Sequence, residues 1–180
     1  RRAVAERALA GIRVVELGQL VSAPYCARLF ADYGADVVKV APPEGDPARR
    51  WGPFPGDVPH PEKSGLHHFL NTNKRSVVLD VGEADGRARF LDLVCGADVL
   101  VENHAPSHMR AWGLDFASLA AVNPALVVIS ITPFGQTGPY SGHESEEIVT
   151  YALSGIMSIS GMADREPLKH GGMQAQYEGG

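Results

Sequence analysis

Short apolar segments alternate with helix-forming segments along this chain, and this alternation restricts the possible folds more than any other feature. Residues 11–17 are mainly apolar without strict alternation, which is typical of a strand buried on both faces. Ser22 and Pro24 suit the cap and first turn of a helix that ends at Gly34. Residues 36–40 predict the next strand. Two strands joined by a helix within about 30 residues are expected to run parallel.

The same alternation continues through most of the chain and predicts an α/β fold. A doubly wound, mostly parallel sheet with flanking helices is expected, with ligands bound beyond the carboxyl ends of the strands. The further predicted strands are residues 75–79, 98–101 and 126–131, and the further predicted helices are residues 84–95, 116–122 and 146–160.

Composition divides the chain into three parts. Residues 1–10 are polar and Ala-rich and predict a short lead-in helix, residues 11–140 hold the predicted sheet, and residues 141–180 hold a last helix and a tail. Within the second part, residues 41–65 contain seven of the 13 prolines. A loop of this length usually carries function or wraps a partner.

Charge and cysteine content exclude several classes of function. The net charge is −5 without a basic cluster, which argues against a nucleic-acid surface. No stretch approaches the roughly 20 apolar residues that cross a bilayer. Cys26 and Cys95 lie among apolar residues and predict buried free thiols, as expected in the reducing cytoplasm.

Several loops at the predicted strand ends are candidate ligand sites. Residues 18–24 lack both glycine-rich phosphate-binding patterns, which leaves a capped helix start or another kind of site. Residues 71–75 place two amides and two cations on a turn, which suits phosphates or a purine edge, or a solvated turn. His104 and His108 are four residues apart without a carboxylate or cysteine to complete a metal site, so no metal is expected.

Residues 133–140 follow the last predicted strand and carry the most distinctive motif. Phe134, Gly135, Gln136, Thr137, Gly138, Pro139 and Tyr140 resemble the signature of the class III CoA-transferases, the family that includes formyl-CoA transferase, carnitine-CoA transferase and α-methylacyl-CoA racemase. Other stretches resemble the family in the same order along the chain: residues 11–17, 23–24, 33–40, 71–79, 97–103 and 153–155.

The resemblance implies a Rossmann-like CoA-binding domain over residues 11–140, with coenzyme A or acyl-CoA as substrate and no bound cofactor. It also implies that residues 141–180 begin the active-site segment of a longer polypeptide with a second domain, assembled as an interlocked homodimer. The positions implied to contact CoA are Leu20, Val21, Ser22, Leu70, Asn103 and His104, with Asn71, Asn73, Lys74, Arg75 and Arg110 as further candidates near the phosphates or the base.

Three residues are implicated in catalysis by the resemblance. Glu147 falls on a helix acid that assists catalysis in the formyl-CoA transferases. The family nucleophile is an aspartate that forms acyl anhydrides and a CoA thioester, and Gln176 occupies its position. A glutamine lacks the required carboxylate, and Glu178 is the nearest following acid.

Two functions follow from the resemblance and remain open. One is CoA transfer between an acyl-CoA and a carboxylic acid with an atypical active site. The other is a CoA-binding half without catalytic activity, completed by a fused or separate companion. Acyl-CoA racemase activity is disfavoured, because Glu146 stands where the racemases carry a histidine and His143 lies three residues away. A purely structural protein would leave the polar loops at the strand ends unexplained.

Overall fold

The computed structural model describes residues 7–180 and contains one parallel sheet. The strands are β1 (Arg13–Leu17), β2 (Asp36–Ala41), β3 (Arg75–Val78), β4 (Val99–Glu102) and β5 (Val127–Ser130). The sheet order is β3-β2-β1-β4-β5, and every neighbouring pair is parallel. This arrangement confirms the predicted doubly wound α/β fold.

The central strand β1 determines where a ligand binds. Val15 of β1 pairs with Val38 of β2 on one side and with Leu100 of β4 on the other. The chain therefore leaves β1 toward β2 and later returns on the opposite side. The loops after β1 and β4 diverge at this switch point, which opens a crevice at the carboxyl edge of the sheet.

Seven α-helices accompany the sheet in the described residues. Three short ones, Gly65–Leu70, Pro106–Ala111 and Gln174–Gly179, were not predicted, because six residues are too few to show a helical period. The predicted helix over 146–160 instead ends at Leu153, and Gly155 adopts φ +83° before a 3-10 turn. The helices are α1 (Ser22–Asp32), α2 (Gly65–Leu70), α3 (Ala84–Cys95), α4 (Pro106–Ala111), α5 (Phe116–Val122), α6 (Glu147–Leu153) and α7 (Gln174–Gly179).

Apolar side chains pack on both faces of the sheet. On one face, Phe90 of α3 and Leu119 of α5 pack with Leu100 of β4. On the other face, the alanines of α1, such as Ala27, lie against Val14 and its neighbours, and their small side chains let this helix approach closely. The hydrophobic effect stabilises each fully buried Leu or Phe by about 1.5–3 kcal/mol.

Three local predictions were wrong or lie partly outside the described residues. Ser22 does not cap α1; Val21 is the N-cap residue, and the Ser22 hydroxyl accepts a hydrogen bond from Asn103 instead. Cys95 is exposed and Cys26 is half-buried, so neither thiol is fully buried. Of the predicted lead-in helix, residues 1–6 lie outside the description and residues 8–11 form a turn.

The proline-rich loop over 41–65 is ordered by its own polar side chains. Asp46 caps a 3-10 turn, Pro47–Arg50, by accepting from the backbone N–H of Ala48. The buried hydroxyl of Ser64 donates to the carbonyl oxygens of Ala48 and Trp51 and caps α2. Among residues 7–180, no helix has the length and apolar character needed to span a membrane.

Candidate active site

Four buried charged side chains join the strands to the loops that surround the crevice. Lys39 Nζ of β2 lies 2.7 Å from Glu16 Oε1 of β1 and 2.8 Å from Asp46 Oδ2. Lys74 Nζ lies 2.7 Å from Glu16 Oε2, so Glu16 bridges two lysines. All four side chains are at most 3% exposed. We call Glu16, Lys39, Asp46 and Lys74 the buried charge network.

Burial and ion pairing act in opposite directions on this network. Burial disfavours the charge of Lys39, but the carboxylates of Glu16 and Asp46 outweigh it and raise the pKa of Lys39. Burial likewise opposes the charge of Asp46, yet Lys39 and two backbone N–H donors lower its pKa. For Lys74, burial prevails over Glu16 and lowers the pKa to about 8.

The network also fixes the backbone that follows β1. Lys39 Nζ donates to the carbonyl oxygen of Gly18 at 2.8 Å, and Asp46 Oδ1 accepts from the backbone N–H of Leu20 at 3.1 Å. Leu20 is held at φ +59°, a left-handed conformation that costs a non-glycine residue free energy. Lys74 donates to the carbonyl oxygen of Pro24 at 2.7 Å. These bonds preorganise the loop before any ligand arrives.

Asn103, directly after β4, joins this loop to the other side of the crevice. Its Nδ2 donates to the carbonyl oxygen of Gln19 at 2.8 Å and to Ser22 Oγ at 3.0 Å, and its Oδ1 accepts from the Gln19 N–H at 3.0 Å. Gly18 lets this loop pass close to the start of α1, because a Cβ there would lie 2.5 Å from Ala23 Cβ.

A first cavity of about 300 Å³ opens at the carboxyl ends of β1 and β2 and beside the loop after β4. The His104 and Trp112 rings meet edge to face with centroids 5.0 Å apart. Burial, with the nearby charges of His108 and Lys39, lowers the pKa of His104 to about 4, so its ring is neutral near pH 7. The wall combines aromatic and aliphatic side chains with several polar groups, an arrangement typical of small-molecule sites. We call this cavity the switch-point groove; its wall includes Gln19, Pro42, Leu79, Asp80, His104 and Trp112.

A second cavity of about 260 Å³ lies between the β1 loop, α6 and α7. Glu147 Oε1 accepts from the backbone N–H of Ala175 at 2.8 Å, which ties the first residue of α6 to α7. Glu147 Oε2 and Thr132 Oγ1 are buried without a hydrogen-bond partner in the structure. We call this space the glutamate cavity; its wall includes Leu20, Ser22, Asn103, Thr132, Glu147 and Gln176.

The structure thus brings some of the predicted site residues together. Glu147 and Gln176 share a cavity with Leu20, Ser22 and Asn103, although α6 and α7 are separated along the chain. Glu178 is exposed and does not line that cavity. His104 lies in the neighbouring switch-point groove.

The other residues predicted to contact CoA are buried, are paired with other side chains, or lie outside the two cavities. The side chains of Val21 and Leu70 are fully buried. Lys74 belongs to the buried charge network, and the exposed Arg75 is paired with Asp36. Arg110 lies on a separate hollow beside Glu102.

The two asparagines of the 71–75 turn have structural partners. Asn71 Oδ1 accepts from Lys74 Nζ, and Asn73 Nδ2 donates to Asp32 Oδ1. Asn71, Lys74 and Arg75 border a larger hollow of about 670 Å³ beneath the proline-rich loop. That hollow adjoins the switch-point groove, because Pro42 and Glu44 line both.

Several site residues escaped prediction from the sequence. Gln19 belongs to the predicted 18–24 loop but was not singled out within it. Trp112 and Thr132 carry no local motif, and only the assembled loops place them at the cavities. Glu16 did leave a signal, because a charged residue in a strand buried on both faces requires a buried partner. His104 and His108 both stack near Trp112, and no group of three potential metal-ligating side chains occurs within residues 7–180.

A parallel sheet with two adjoining cavities at its switch point defines a doubly wound, ligand-binding α/β domain. Residues 9–180 match the sequence profile of CoA-transferase family III, and the chain belongs to this family. The family predicted from the 134–140 motif is thereby confirmed.

Individual relatives support the same assignment. The chain is 42% identical over 166 residues to the succinate–glutarate CoA-transferase of Agrobacterium fabrum. The aligned region covers 91% of this chain and 42% of that protein. It is 37% identical to the succinyl-CoA–L-malate CoA-transferase beta subunit of Chloroflexus aurantiacus, over 91% of this chain and 40% of the relative. The chain therefore spans less than half the length of these curated relatives.

A crystal structure of a CAIB/BAIF family protein from Brucella suis has the same fold. It superposes with a TM-score of 0.86 at 38% identity, over 95% of this chain and 45% of that one. At this identity and coverage, the similarity extends along almost the whole described chain.

Proposed function

We propose that this chain forms the CoA-binding half of an enzyme that transfers CoA between an acyl-CoA and a carboxylic acid. The observation that carries the proposal is the arrangement of two cavities beside one rigid bridge, Asn103 with Gln19 and Ser22. The switch-point groove suits the adenine of CoA, and the glutamate cavity suits the thioester end. The backbone between Gly18 and Ser22 would follow the connecting arm.

The substrates are proposed from the chemistry of the relatives. Both named relatives are CoA-transferases of dicarboxylic acids, so we propose a short dicarboxylic acid as donor or acceptor. Asn71, Asn73, Lys74, Arg75 and Arg110 remain predicted contacts of the CoA phosphates or base. The first four are bonded to other side chains, so a ligand would compete with those contacts, and the buried Lys74 would have to leave Glu16. Arg110 lines a different hollow.

Assembly and compartment are further parts of the proposal. We propose a cytoplasmic enzyme, in keeping with free Cys26 and Cys95. The family resemblance favours an interlocked homodimer, and the relative named as a subunit favours a companion chain as the other possibility.

The test is an exchange assay with the full-length protein, including any chain that copurifies with it. Succinyl-CoA and isotopically labelled glutarate should yield labelled glutaryl-CoA, with succinate released. Failure to exchange any of a panel of short dicarboxylic acids, despite measurable CoA binding, would contradict the proposal.

A second function is favoured by Gln176, which leaves the family nucleophile position without a carboxylate. In this case the chain binds CoA while a companion chain or fused half supplies the aspartate. Removal of the companion would then abolish exchange but leave CoA binding to this chain. Gain of exchange activity in the isolated Gln176→Asp variant would support the same reading.

A further inference from the structure

The glutamate cavity contains polar atoms that lack the partners buried groups normally have. Buried polar atoms are almost always hydrogen-bonded, and an orphaned one indicates a ligand, water or a reactive group. Glu147 Oε2 and Thr132 Oγ1 are both in this condition, and both residues line the same space of about 260 Å³. Two such atoms in one small cavity indicate that the cavity receives a polar ligand.

Glu147 is held so that only one of its carboxylate oxygens is free. The backbone N–H of Ala175 fixes Oε1 at 2.8 Å, which leaves Oε2 for the cavity. Ala175 precedes Gln176, so the same contact places the glutamine beside the acid. A carboxylate oxygen shielded from water and without a donor is a stronger nucleophile than a solvated one.

The other nearby carboxylates do not share this arrangement. Glu178 is exposed and lies outside the cavity wall. Glu146 lines the cavity but is also exposed, so water competes for its carboxylate. Within the described residues, Glu147 alone combines a place in the wall with an unpartnered, buried carboxylate oxygen.

We propose, on the basis of the function proposed above, that Glu147 replaces the missing aspartate as the covalent nucleophile of CoA transfer. Glu147 Oε2 attacks the thioester carbonyl, the carbon–sulfur bond breaks, and CoA leaves as its thiolate. The product is a mixed anhydride between Glu147 and the acyl group. The Gln176 amide supplies an N–H donor to the oxygen that becomes negative in the tetrahedral intermediate.

The remaining steps need no other reactant. The CoA thiolate attacks the Glu147 carbonyl of the anhydride, which releases the donor acid as its carboxylate and leaves a glutamyl-CoA thioester. The acceptor carboxylate attacks that thioester, which forms a new anhydride with Glu147 and releases CoA as the thiolate. The thiolate then attacks the acceptor carbonyl of this anhydride, and the bond between that carbon and the Glu147 carboxylate oxygen breaks. Acceptor-CoA and free Glu147 are formed, with bonds and charges balanced.

The experiment uses the full-length protein and the Glu147→Gln variant, which keeps an oxygen to accept from the Ala175 N–H. We expect kcat for exchange to fall at least about 1000-fold, while the Kd for CoA changes less than about threefold. Glu144→Gln is the matched control, because Glu144 is exposed and does not line the cavity. Its kcat should stay at the wild-type value.

Trapping distinguishes a nucleophile from a positioning group. Hydroxylamine added during turnover should convert the activated carboxyl to a hydroxamate at Glu147, which peptide mass spectrometry locates. A hydroxamate on Glu178 or on a companion chain would overturn the proposal, as would undiminished exchange by Glu147→Gln. Absence of exchange by the wild-type protein would overturn both this proposal and the proposed function.

Discussion

The buried charge network and the glutamate cavity lie on either side of the same loop, yet they differ in whether their buried polar atoms have partners within the protein. In the network, each ammonium and each carboxylate has a charged partner within 2.8 Å. Asp46 Oδ2 makes no hydrogen bond, but it lies 2.8 Å from Lys39 Nζ. In the cavity, Glu147 Oε2 and the Thr132 hydroxyl have neither a charged partner nor a hydrogen bond. The network fixes the conformation of the loop, and the unpartnered atoms of the cavity are available to bind a ligand. Polar groups that stabilise the fold can therefore be distinguished from polar groups that are available to a ligand, because only the former have partners within the protein.

The two regions also differ in how much apolar surface supports them. Around the network, β1 and β4 are buried almost completely. At the end of α6 and in the 3-10 turn that follows it, Leu153 is 70% exposed and Ile159 is 85% exposed. The sheet therefore contributes most of the described hydrophobic core, and the segment carrying Glu147 and Gln176 rests on a smaller one.

The largest effect on this comparison is expected from Lys39→Met. The substitution leaves Asp46 without its charged partner and Glu16 with only Lys74, while both carboxylates stay buried. We expect the free energy of unfolding to fall by about 3–5 kcal/mol, measured by urea denaturation. The control is Arg75→Ala, which breaks the exposed pair with Asp36 and should cost at most about 1 kcal/mol. Equal losses in both variants would contradict the structural role assigned to the network.

A smaller effect is expected from pH through Lys74. Its pKa is about 8 in the folded protein and near 10.5 when unfolded. Between these values the unfolded state binds more protons, so the free energy of unfolding rises with pH, by roughly 1–3 kcal/mol. Below pH 8 both states are charged and this contribution is flat. Urea titrations from pH 7.5 to about 10.5 should show the rise in the wild type, and Lys74→Met should remove it.

Gly18→Ala tests whether the rigid loop matters for binding. The new Cβ would lie 2.5 Å from Ala23 Cβ, so the loop must shift, at a cost of about 1–3 kcal/mol. We expect affinity for CoA to fall about tenfold in isothermal titration calorimetry. Gly142→Ala is the control, since its Cβ would meet nothing within 4 Å. If Gly18→Ala binds CoA with unchanged affinity, the conformation of this loop does not contribute to CoA binding.

The smallest effect is expected from Thr132→Val in the glutamate cavity. The Thr132 hydroxyl has no partner to lose, so the free energy of unfolding without ligand should change by less than about 0.5 kcal/mol. A loss above about 1.5 kcal/mol would show that the hydroxyl is bonded in the folded protein. That result would leave Glu147 Oε2 as the remaining unpartnered atom that distinguishes the glutamate cavity from the buried charge network.

The sheet was predictable because most residues of β1, β2 and β4 are apolar, and α3 and α5 were predicted with their observed bounds. The charged residues were less predictable. Lys74 suggests a phosphate ligand when its turn is considered alone, and only the neighbourhood of Glu16 shows that its ammonium is engaged. The proximity of Glu147 to Gln176 depends on how α6 packs with α7, and no spacing along the chain encodes that contact.

The buried charge network has a consequence for how this sequence can change over time. Glu16, Lys39, Asp46 and Lys74 lie on different strands and loops between residues 16 and 74, and each one compensates the charge of another. A neutral replacement at one position leaves an opposite charge buried without a partner. Joint replacement of the paired residues by apolar ones leaves no such charge. Across related proteins, we expect these four positions to be inherited or lost together, so that their identities covary despite their separation in sequence.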